Sequence, residues 1–556
     1  MKILILGGYG VFGGRLAELL SGLAGLDIYI CGRTEEKAIA FCKTLTGAAR
    51  FIPLKLDRKD IGVALKRYVP DMVVDASGPF QKYSHNTYAV VKACIDAKIH
   101  YLDFADCADF VFGISEFDGQ AKKSGIFALS GVSSFPVLSA AVVSEFQNHM
   151  VIESVKGGIA PSPYAGIGLN VMRAVIGYAG GPVKLIRDGK LIEAKGLTES
   201  MRYTIAPPGL LPLRNIHFSL VDVPDLQVLP AEMPSLKNIW MGAGPVPEIL
   251  HRTLNVLAKL RAIFHLPSFE PLSPLFYFVL NLMKFGEHRG GMFIEAQGYV
   301  KGKPKTHVTM SWHLLAEGDD GPYIPSMAIE GIVRKYVNGE RPKYGARPAT
   351  NALSLTDYGE LFENRNLFMG VRSSHDVRDT IYQSVLGSAY TQLPEQLRAL
   401  HGSTKKTVWA GKAHVQRGEN PLAIGIGKLI GFSKQARNVP LTVTFTPSAK
   451  GEHWARNFGG TVFTSKQKIG IGKNTHLITE HFGPVSIGMA LVIKDKKLYL
   501  QPRRMTVFGF PVPKFLLPKG ESFEHEKDGI FHFNVTIKFP IIGLIVAYQG
   551  WLKPQG

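Results

Sequence analysis

Three hydrophobic patterns follow one another along the chain and predict three structural regions. Residues 1–140 hold short, continuous apolar runs, among them "KILIL" (2–6), "LDIYICG" (26–32) and "DMVVDASGPF" (71–80). Such runs are typical of strands buried on both faces of a parallel sheet. The leucines of "RLAELLSGLAG" (15–25) have helical spacing. The fold class predicted here is α/β, a Rossmann-type doubly wound parallel sheet with further strands over 50–57, 99–106 and 126–136.

A different pattern appears in the middle of the chain, over residues 290–328. Val308, Met310 and Trp312 alternate there with His307, Thr309 and Ser311. This alternation is typical of a strand with one buried face. We predict a β-hairpin, then a polar turn, then a helix in this stretch.

The last region, residues 375–556, is expected to be β-rich. In "LTVTFTP" (441–447) and "FHFNVTIKF" (531–539) every second residue is apolar. The stretches "GKAHVQRG", "THLITEHFG" and "KKLYLQPRRMTVFGFPVP" predict more strands, and an opening helix is predicted over about 376–400. Strands with one apolar and one polar face form an antiparallel sheet curled over a core or over a ligand.

A glycine-rich loop follows the first predicted strand. "GGYGVFGGR" (7–15) contains Gly8-x-Gly10-x-x-Gly13 between a strand and a helix, the context in which this spacing indicates dinucleotide binding. The first glycine permits a tight turn, the second lets backbone approach the pyrophosphate, and the third lets helix and strand pack closely. The candidate cofactor-binding residues of the loop are Gly7, Gly8, Tyr9, Gly10, Val11, Phe12 and Gly13.

The residue after the second strand favours NADP over NAD. NAD sites carry Asp or Glu about 20 residues beyond the glycine motif, whereas Arg33 stands there, 20 residues after Gly13. A guanidinium binds a 2′-phosphate that a carboxylate would repel. The alternative is a solvated loop arginine, and Glu35 and Glu36 are counter-evidence. Further candidate cofactor-binding residues are Thr34, Lys37, Asp57 beside the adenine, and Ser77, Gly78 and Pro79 beside the nicotinamide half.

Several ordered motifs make residues 1–140 resemble the NADP-binding domain of saccharopine dehydrogenase-like oxidoreductases. These are the glycine loop, "SGPFQKYS" (77–84), "HYLDFAD" (100–106) and "GVSSFP" (131–136). Ser84 replaces a family glycine, Val132 a family aromatic and Ser133 a family aspartate, so amino-acid specificity is in doubt. "YGARPATNALSLTDYGELF" (344–362) resembles the closing stretch of the family.

The resemblance implies three domains and an oxidoreductase activity. It gives an NAD(P)-binding Rossmann domain (1–140), then an α+β domain of the substrate-binding or dimerisation type (141–372). Residues 375–556 resemble an uncharacterised domain family found fused behind such modules in bacteria. Hydride transfer needs a proton donor or acceptor near the strand ends. The catalytic candidates are Tyr83, His100 and Asp103, with Tyr101 beside them, although each is more often structural.

Composition limits the partners. The chain carries a net charge of +19, and residues 375–556 hold 24 basic and 11 acidic side chains, a net +13. Such a field attracts anionic surfaces, although a soluble protein of high isoelectric point fits equally well. "PEILHRTLNVLAKLRAIFHL" (247–266) and "LFYFVLNLMKFGEHR" (275–289) predict a basic amphipathic helix beside an apolar one. They suit either a domain core or peripheral membrane contact.

Cysteines and motifs exclude several classes of site. Cys31, Cys42, Cys94 and Cys107 form no CxxC pair, which favours a reducing compartment. We expect no signal peptide, no spanning helix, no metal site and no nucleic-acid partner. The expected localisation is cytoplasmic, with membrane association left open.

The leading hypothesis is an NADP-dependent oxidoreductase that acts on an unidentified carbonyl, imine or enoyl substrate. That substrate is a small molecule or is lipid-like, and a homodimer is compatible with the second domain. The competing hypothesis is a non-catalytic nucleotide- or lipid-binding scaffold at the membrane surface. The absence of a definite proton-transfer residue in the sequence favours this competitor.

Overall fold

A computed structural model describes residues 1–82, 87–166, 168–245, 247–284, 286–374, 379–449 and 451–555. The chain forms two compact units. The first comprises Met1–Tyr203 and Ile216–Met369, and the second comprises Thr204–Asn215 and Gly370–Gly556.

The strands up to residue 373 form two sheets and a hairpin. They are β1 (Lys2–Leu6), β2 (Asp27–Gly32), β3 (Arg50–Lys55), β4 (Met72–Asp75), β5 (His100–Asp103), β6 (Phe127–Ser130), β7 (Met150–Ala160), β8 (Pro182–Arg187), β9 (Lys190–Lys195), β10 (Ser200–Tyr203), β11 (Ile216–Leu220), β12 (Asn238–Ala243), β13 (Gly290–Val300), β14 (Lys303–Ala316), β15 (Gly345–Pro348) and β16 (Leu367–Ser373).

Helices connect and cover these strands. They are α1 (Val11–Leu20), α2 (Glu35–Cys42), α3 (Ile61–Tyr68), α4 (Ala89–Ala97), α5 (Ala108–Gly113), α6 (Asp118–Ser124), α7 (Ser139–Gln147), α8 (Leu169–Tyr178), α9 (Asp225–Glu232), α10 (Glu248–Phe264), α11 (Ser273–Leu282), α12 (Ile324–Val337) and α13 (Leu355–Phe362).

The first sheet confirms the predicted Rossmann fold. Its strand order is β15-β6-β5-β4-β1-β2-β3, and each pair of neighbouring strands is parallel. The strands are short and apolar because helices cover both faces of the sheet. β15 was not predicted: it returns from far along the chain and pairs Ala346 with Ala128. The order reverses between β1 and β4, where ligands bind in such sheets.

The second sheet of the first unit is mixed, with the order β10-β11-β12-β7-β13-β14-β16. β13 and β14 form the predicted hairpin, with Gly290 paired to Ala316 at its open end. The polar turn and α12 then follow as predicted. α8, α10 and α11 pack together through a cluster that includes Met172, Ile176, Leu254 and Ala258.

The second unit is a closed antiparallel barrel. Its strands are β17 (Thr407–Arg417), β18 (Ala436–Ser448), β19 (Gly451–Phe458), β20 (Thr461–Ile469), β21 (Ile478–Phe482), β22 (Val485–Lys494), β23 (Lys497–Val507), β24 (Phe510–Pro511), β25 (Phe523–Lys527), β26 (Ile530–Phe539) and β27 (Gly543–Gln555). The order is β22-β21-β20-β19-β18-β17-β27-β26-β25-β23-β24, and a further pairing of β22 with β23 closes the barrel. The alternation predicted for residues 441–447 is confirmed, since Leu441, Val443 and Phe445 are buried.

The prediction of a single helix over about 376–400 is wrong. The described part of this stretch forms α14 (Ile381–Leu386), a 3₁₀ helix (Gly387–Gln392) and α15 (Glu395–His401). Thr380 starts α14 with a capping box, and Gly387 ends it at a φ of +55°. Pro394 then precedes α15. Gly387 and Pro394 therefore interrupt a stretch whose hydrophobic spacing alone predicts one continuous helix. Another helix, α16 (Pro421–Ile430), follows β17.

Candidate functional site

The glycine loop lies at the point where the order of the parallel sheet reverses. Gly7 has a φ of +72°, and a Cβ there would lie 2.7 Å from the carbonyl oxygen of Ala76. A Cβ on Gly13 would lie 2.4 Å from the carbonyl oxygen of Gly7. Only glycine therefore lets the loop pass between β1 and β4 while α1 begins directly beneath it. The loop, which we call the glycine cradle, is thus packed too closely for side chains at these positions, and the first amides of α1 have no partner within their own helix.

Tyr9 and the end of β2 form the next part of the site. A Cβ on Gly32 would lie within 2.4 Å of the Tyr9 ring, so the ring packs directly on that glycine. The Tyr9 hydroxyl accepts a hydrogen bond from the Thr34 amide at 3.1 Å. Arg33 lies between Gly32 and Thr34 in the chain and is exposed. Its position beside the loop suits contact with a 2′-phosphate.

Two aspartates order the loops after β3 and β4. Asp57 accepts a hydrogen bond from the Lys59 amide at 3.1 Å and caps a short 3₁₀ helix. Asp75 is fully buried, accepts the Ser77 amide at 3.0 Å and lies 3.3 Å from Nε of Arg58. The cis peptide bond between Gly78 and Pro79 follows. Asn170, at the start of α8, donates to the carbonyl of Gly78 at 3.2 Å.

Asp103 lies at the carboxyl end of β5, inside the protein. Its Oδ1 accepts hydrogen bonds from the amides of Gly131 (2.7 Å) and Ala105 (2.9 Å) and from the Ser130 hydroxyl (3.0 Å). Burial raises the pKa of this carboxyl to about 7. These hydrogen bonds let Asp103 position the loop after β6, and its catalytic role stays a prediction.

The structure places His100, another catalytic candidate, away from the glycine loop. His100 begins β5, so it lies at the amino edge of the sheet, opposite the glycine loop. Its ring stacks on Phe127 at 4.0 Å, and its Nδ1 accepts the Phe127 amide at 3.3 Å. Burial lowers its pKa to about 4. Tyr101 is buried beside it, and Tyr83 lies outside the described residues.

A cavity of about 290 Å³ opens beside the glycine loop, between the two sheets of the first unit. Its walls are mainly apolar and come from the start of α1, the end of β7, the open end of the β13–β14 hairpin and the start of α12. The apolar wall includes Val11, Phe12, Ile159, Val171, Met292, Leu314 and Ile324. The polar side chains that line it are Arg15, Ser134, Ser162, His288 and Asp319.

His288 and Asp319 are the titratable pair of this cavity. Nδ1 of His288 lies 3.5 Å from Oδ1 of Asp319, and both side chains are more than half exposed. The Tyr164 ring stacks on the imidazole with its centroid at 3.8 Å. Imidazole held by a carboxylate is a common proton-transfer group. Neither residue was predicted from the sequence, because the hairpin separates them in the chain and each lies in a polar turn among other charged residues.

Arg15 is the cation of the cavity wall. Its guanidinium donates to the carbonyls of Pro322 (3.1 Å) and Ala165 (2.9 Å), which fixes it across the cleft. Burial lowers its pKa from the usual range for arginine. Tyr323 donates to Glu18 at 2.6 Å on the same side of α1. These contacts join α1 to the start of α12.

Other site classes find no support in the part of the chain that the structure covers. No group of three His, Cys, Asp or Glu side chains among the described residues is arranged to hold a metal ion. The four cysteines are free thiols. No helix within the described ranges is long and apolar enough to cross a membrane.

Comparison with known proteins agrees with this geometry. Residues 3–129 match the family model of the saccharopine dehydrogenase NADP binding domain. Residues 393–552 match a domain of unknown function, DUF4166. No curated protein matches the chain. NADP is therefore the favoured nucleotide of the first unit.

Among solved structures, the chain is similar to apo saccharopine dehydrogenase (L-Glu forming) from Saccharomyces cerevisiae. The identity is 13%, 67% of this chain and 99% of that chain are covered, and the TM-score is 0.47. It is also similar to an amine dehydrogenase from Mycobacterium smegmatis (9% identity, 62% and 94% covered, TM-score 0.32). A meso-dapdh mutant from Clostridium tetani E88 has 12% identity, 65% and 99% coverage and a TM-score of 0.32.

Proposed function

We propose that this chain, whose first unit carries an NADP-binding domain of the saccharopine dehydrogenase type, reduces or oxidises an apolar substrate in the cavity beside its glycine loop. The observation that carries the proposal is the meeting of three features in one cleft. These are the glycine cradle, an apolar cavity and the His288–Asp319 pair. The reacting group is a carbonyl, imine or enoyl.

The residues of the first unit fit the nucleotide. Gly7, Gly10 and Gly13 let the loop pack tightly against its own backbone and that of Ala76. This close packing would bring the amides of the first turn of α1 toward a pyrophosphate. Arg33, with Thr34 and Lys37 close by in the chain, would hold the 2′-phosphate. When bound, the reduced nucleotide supplies a hydride to the substrate carbon. Everything else in the reaction is the task of the protein's own side chains.

His288 is the proposed proton-transfer residue. In reduction, the imidazolium gives its proton to the oxygen or nitrogen of a carbonyl or imine, or to the carbon of an enoyl group, as the hydride reaches the other atom of the double bond. Solvent then reprotonates the imidazole, which its partial exposure allows. Asp319 orients the ring through Nδ1, a positioning role. Ser134 and Arg15 line the same cavity and would orient the substrate.

The cavity wall favours an apolar substrate. Its aliphatic and aromatic side chains outnumber its few polar groups, as in sites that bury most of a small ligand. A free amino-acid substrate, with a carboxylate and an ammonium group, would leave charges against this wall. We therefore favour a lipid-like carbonyl, imine or enoyl compound over an amino acid.

A membrane surface is the proposed source of such a substrate. α10 and α11 expose large apolar side chains, from 39 to 73% of each residue's surface: Val256, Leu260, Ile263, Phe264, Leu275, Phe278 and Leu282. Exposed Arg252, Lys259 and Lys284 lie near them in the chain. An apolar helix face flanked by basic residues suits the interface of an anionic bilayer.

Binding followed by turnover tests the proposal. NADPH is titrated into the full chain, and its consumption is then followed with medium-chain aldehydes, ketones, imines and enoyl thioesters. We expect NADPH to bind more tightly than NADH and to be consumed with at least one apolar class. Tight NADPH binding without consumption across all classes would instead support the non-catalytic scaffold.

A further inference from the structure

The exposed apolar side chains of the barrel are concentrated at one of its two ends. Alternate connections of an antiparallel barrel lie at the same end, so five connections between strands meet there. We call this the loop end, and it comprises residues 418–435, 459–460, 483–484, 508–522 and 540–542. At the other end, the Gln396 amide of α15 donates to Glu526, beside the β25–β26 turn, at 2.8 Å.

Four residues of the loop end project large apolar side chains into water. They are exposed over 71–79% of their surface: Phe508, Phe510, Phe515 and Ile541. Three others at this end are exposed over 39–64%: Leu422 and Ile424 of α16, and Val462 at the start of β20. At the other end, the described residues expose Ile469 and Ile471. A surface on which such residues gather indicates a binding site, because exposed apolar residues are otherwise scattered singly.

The three segments that carry the four most exposed residues lie side by side. Val507, Leu517 and Phe539, each one or two residues from one of the four, pack against one buried cluster of two methionines and an isoleucine. The Phe508 amide also donates to the Pro484 carbonyl at 2.9 Å, which fixes the β23–β24 turn beside the β21–β22 turn. The four exposed side chains therefore belong to one surface.

Basic side chains border this apolar surface. Lys519 and Lys538 face each other in an antiparallel bridge, where each backbone amide donates to the other residue's carbonyl, at 2.6 and 2.9 Å. Both residues are exposed, and neither forms an ion pair with any residue that the structure describes. Like charges directly opposite each other are destabilising, so this pair is suited to an anion from outside the protein. Further exposed charged residues at this end are basic Lys428, Lys434 and Arg437 and acidic Glu419 and Glu521.

This composition fits an anionic bilayer better than a protein partner. Protein interfaces are enriched in aromatic residues but depleted in lysine, whereas surfaces that bind at a membrane interface combine phenylalanine and leucine with lysine. The long lysine side chains reach headgroup phosphates while apolar side chains beside them enter the acyl region. The net charge of +13 over residues 375–556 adds a field that attracts an anionic surface.

We propose that the loop end of the barrel docks on an anionic lipid bilayer. Phe508, Phe510, Phe515 and Ile541 insert among the acyl chains, and the lysines of this end contact the headgroups. This gives the second unit a membrane-binding role of its own. The inference depends neither on the oxidoreductase reaction nor on the exposed face of α11, which belongs to the first unit.

A local probe at each end of the barrel tests the docking. Phe510→Trp adds an indole at the loop end, and Ile471→Trp adds one at the other end, where Ile471 is 84% exposed. Emission of both full-length variants is compared with that of the unaltered chain on vesicles of phosphatidylcholine and phosphatidylserine. We expect the added emission of Phe510→Trp to shift to shorter wavelength and to be quenched when the phosphatidylcholine carries brominated acyl chains. Ile471→Trp should show neither change.

Charge reversal tests the choice of an anionic surface. Lys519→Glu combined with Lys538→Glu should lower co-sedimentation with these vesicles at least about tenfold, because two attractions become repulsions. Lys473→Glu combined with Lys527→Glu, a matched reversal at the other end, should leave it unchanged. Circular dichroism verifies folding, and if the first pair fails to fold, the tryptophan comparison still decides the question.

Three results would overturn the proposal. They are a lack of vesicle binding by the unaltered chain, equal quenching in the two tryptophan variants, and equal co-sedimentation of the two charge-reversed pairs. Vesicle binding without quenching at Phe510→Trp would also overturn it, and would leave the loop end as a surface for a protein partner. Because quenching is read at one residue, contact through α11 does not produce the expected result.

Discussion

Nδ1 of His288 lies 3.5 Å from Oδ1 of Asp319 because the two residues flank the open end of one β-hairpin. His288 precedes β13 and Asp319 follows β14, and the pairing of Gly290 with Ala316 brings the ends together. Asp319 has a φ of +69°, a left-handed conformation that aspartate tolerates better than most residues. The pair thus depends on the hairpin register and on the turn before α12.

Replacing His288 should reduce turnover without reducing nucleotide binding. A proton-transfer group contributes about 10²- to 10⁴-fold, so we expect His288→Asn to lower kcat by that order. Asp319→Asn should lower it less, because the imidazole remains. NADPH consumption gives the rate, and nucleotide fluorescence gives the affinity. His265→Asn, an exposed histidine at the end of α10, is the control. Wild-type kcat in His288→Asn would contradict the assignment.

Adding one methyl group at Gly13 should disrupt the nucleotide cradle. A Cβ there lies 2.4 Å from the Gly7 carbonyl oxygen, so α1 and the loop must move apart. We expect Gly13→Ala to weaken NADPH binding at least about tenfold. Gly22→Ala adds the same methyl group where no atom lies within 4 Å. Equal NADPH affinities in the two variants would argue against a pyrophosphate at this loop.

Arg33 should determine the choice between NADPH and NADH. Arg33→Asp places a carboxylate where the ribose 2′-position is expected, so it repels the 2′-phosphate and can accept from a 2′-hydroxyl. We expect the ratio of NADPH to NADH affinity to fall by two orders of magnitude or more. Lys43→Asp, a charge reversal just after α2, is the matched control. An unchanged ratio in Arg33→Asp would refute the 2′-phosphate assignment.

The nucleotide-binding half of the site could be predicted because local sequence determines it. The conformation of the loop that contains Gly8, Gly10 and Gly13 depends only on the strand before it and the helix after it. The spacing of the glycines follows from the close packing that this turn requires. The buried strands can be recognised in the sequence as short apolar runs between predicted helices. β15 lacks such a signal, since "GARP" holds one apolar residue and becomes a strand only by pairing with β6.

The proposed proton-transfer pair could not be predicted, because it depends on which edge of a sheet each residue reaches. His100 and Asp103 belong to the same four-residue strand, yet one lies at the amino edge and the other inside the carboxyl edge. Sequence alone does not show that His288 meets Asp319, because hairpin register decides it.

Stability of the first unit should fall between about pH 4 and pH 7 through Asp225. Burial raises the pKa of this carboxyl to about 7, against about 3.9 in an unfolded chain. The folded state then holds a proton that the unfolded state releases, so its stabilising effect is complete below pH 4 and lost above pH 7. The difference of about three pH units corresponds to roughly 4 kcal/mol in the free energy of unfolding.

Asp225→Asn should reduce this pH dependence, because the amide is neutral throughout, while buried Asp103, whose pKa is also raised to about 7, keeps its own share. Chemical denaturation at pH 5 and pH 8 measures the difference in unfolding free energy for each protein. Asp96→Asn, at an exposed position on α4, should leave the dependence as in the unaltered chain. The same slope in Asp225→Asn and Asp96→Asn would show that Asp225 is ionised in the folded state.

The exposed apolar face of α11 should bind lipid vesicles. Leu275, Phe278 and Leu282 stand at helical spacing and are exposed, while Phe276, Tyr277 and Leu280 pack inward against α8 and α10. Burying a leucine in a bilayer contributes about 1.5–3 kcal/mol, so Leu282→Asp should lower vesicle partitioning at least about tenfold. Co-sedimentation with vesicles of phosphatidylcholine and phosphatidylserine measures the partitioning.

Leu191→Asp is the matched control for this surface, because Leu191 is equally exposed but lies on β9, in the separate β8–β9 hairpin. It makes the same exchange and leaves the α11 face intact, so its partitioning should stay at the level of the unaltered chain. High salt should weaken binding by screening Arg252, Lys259 and Lys284 from the anionic headgroups. If both leucine variants partition equally, the face of α11 is not the membrane contact. If salt leaves partitioning unchanged, the basic residues take no part in it and burial of the apolar face alone drives binding.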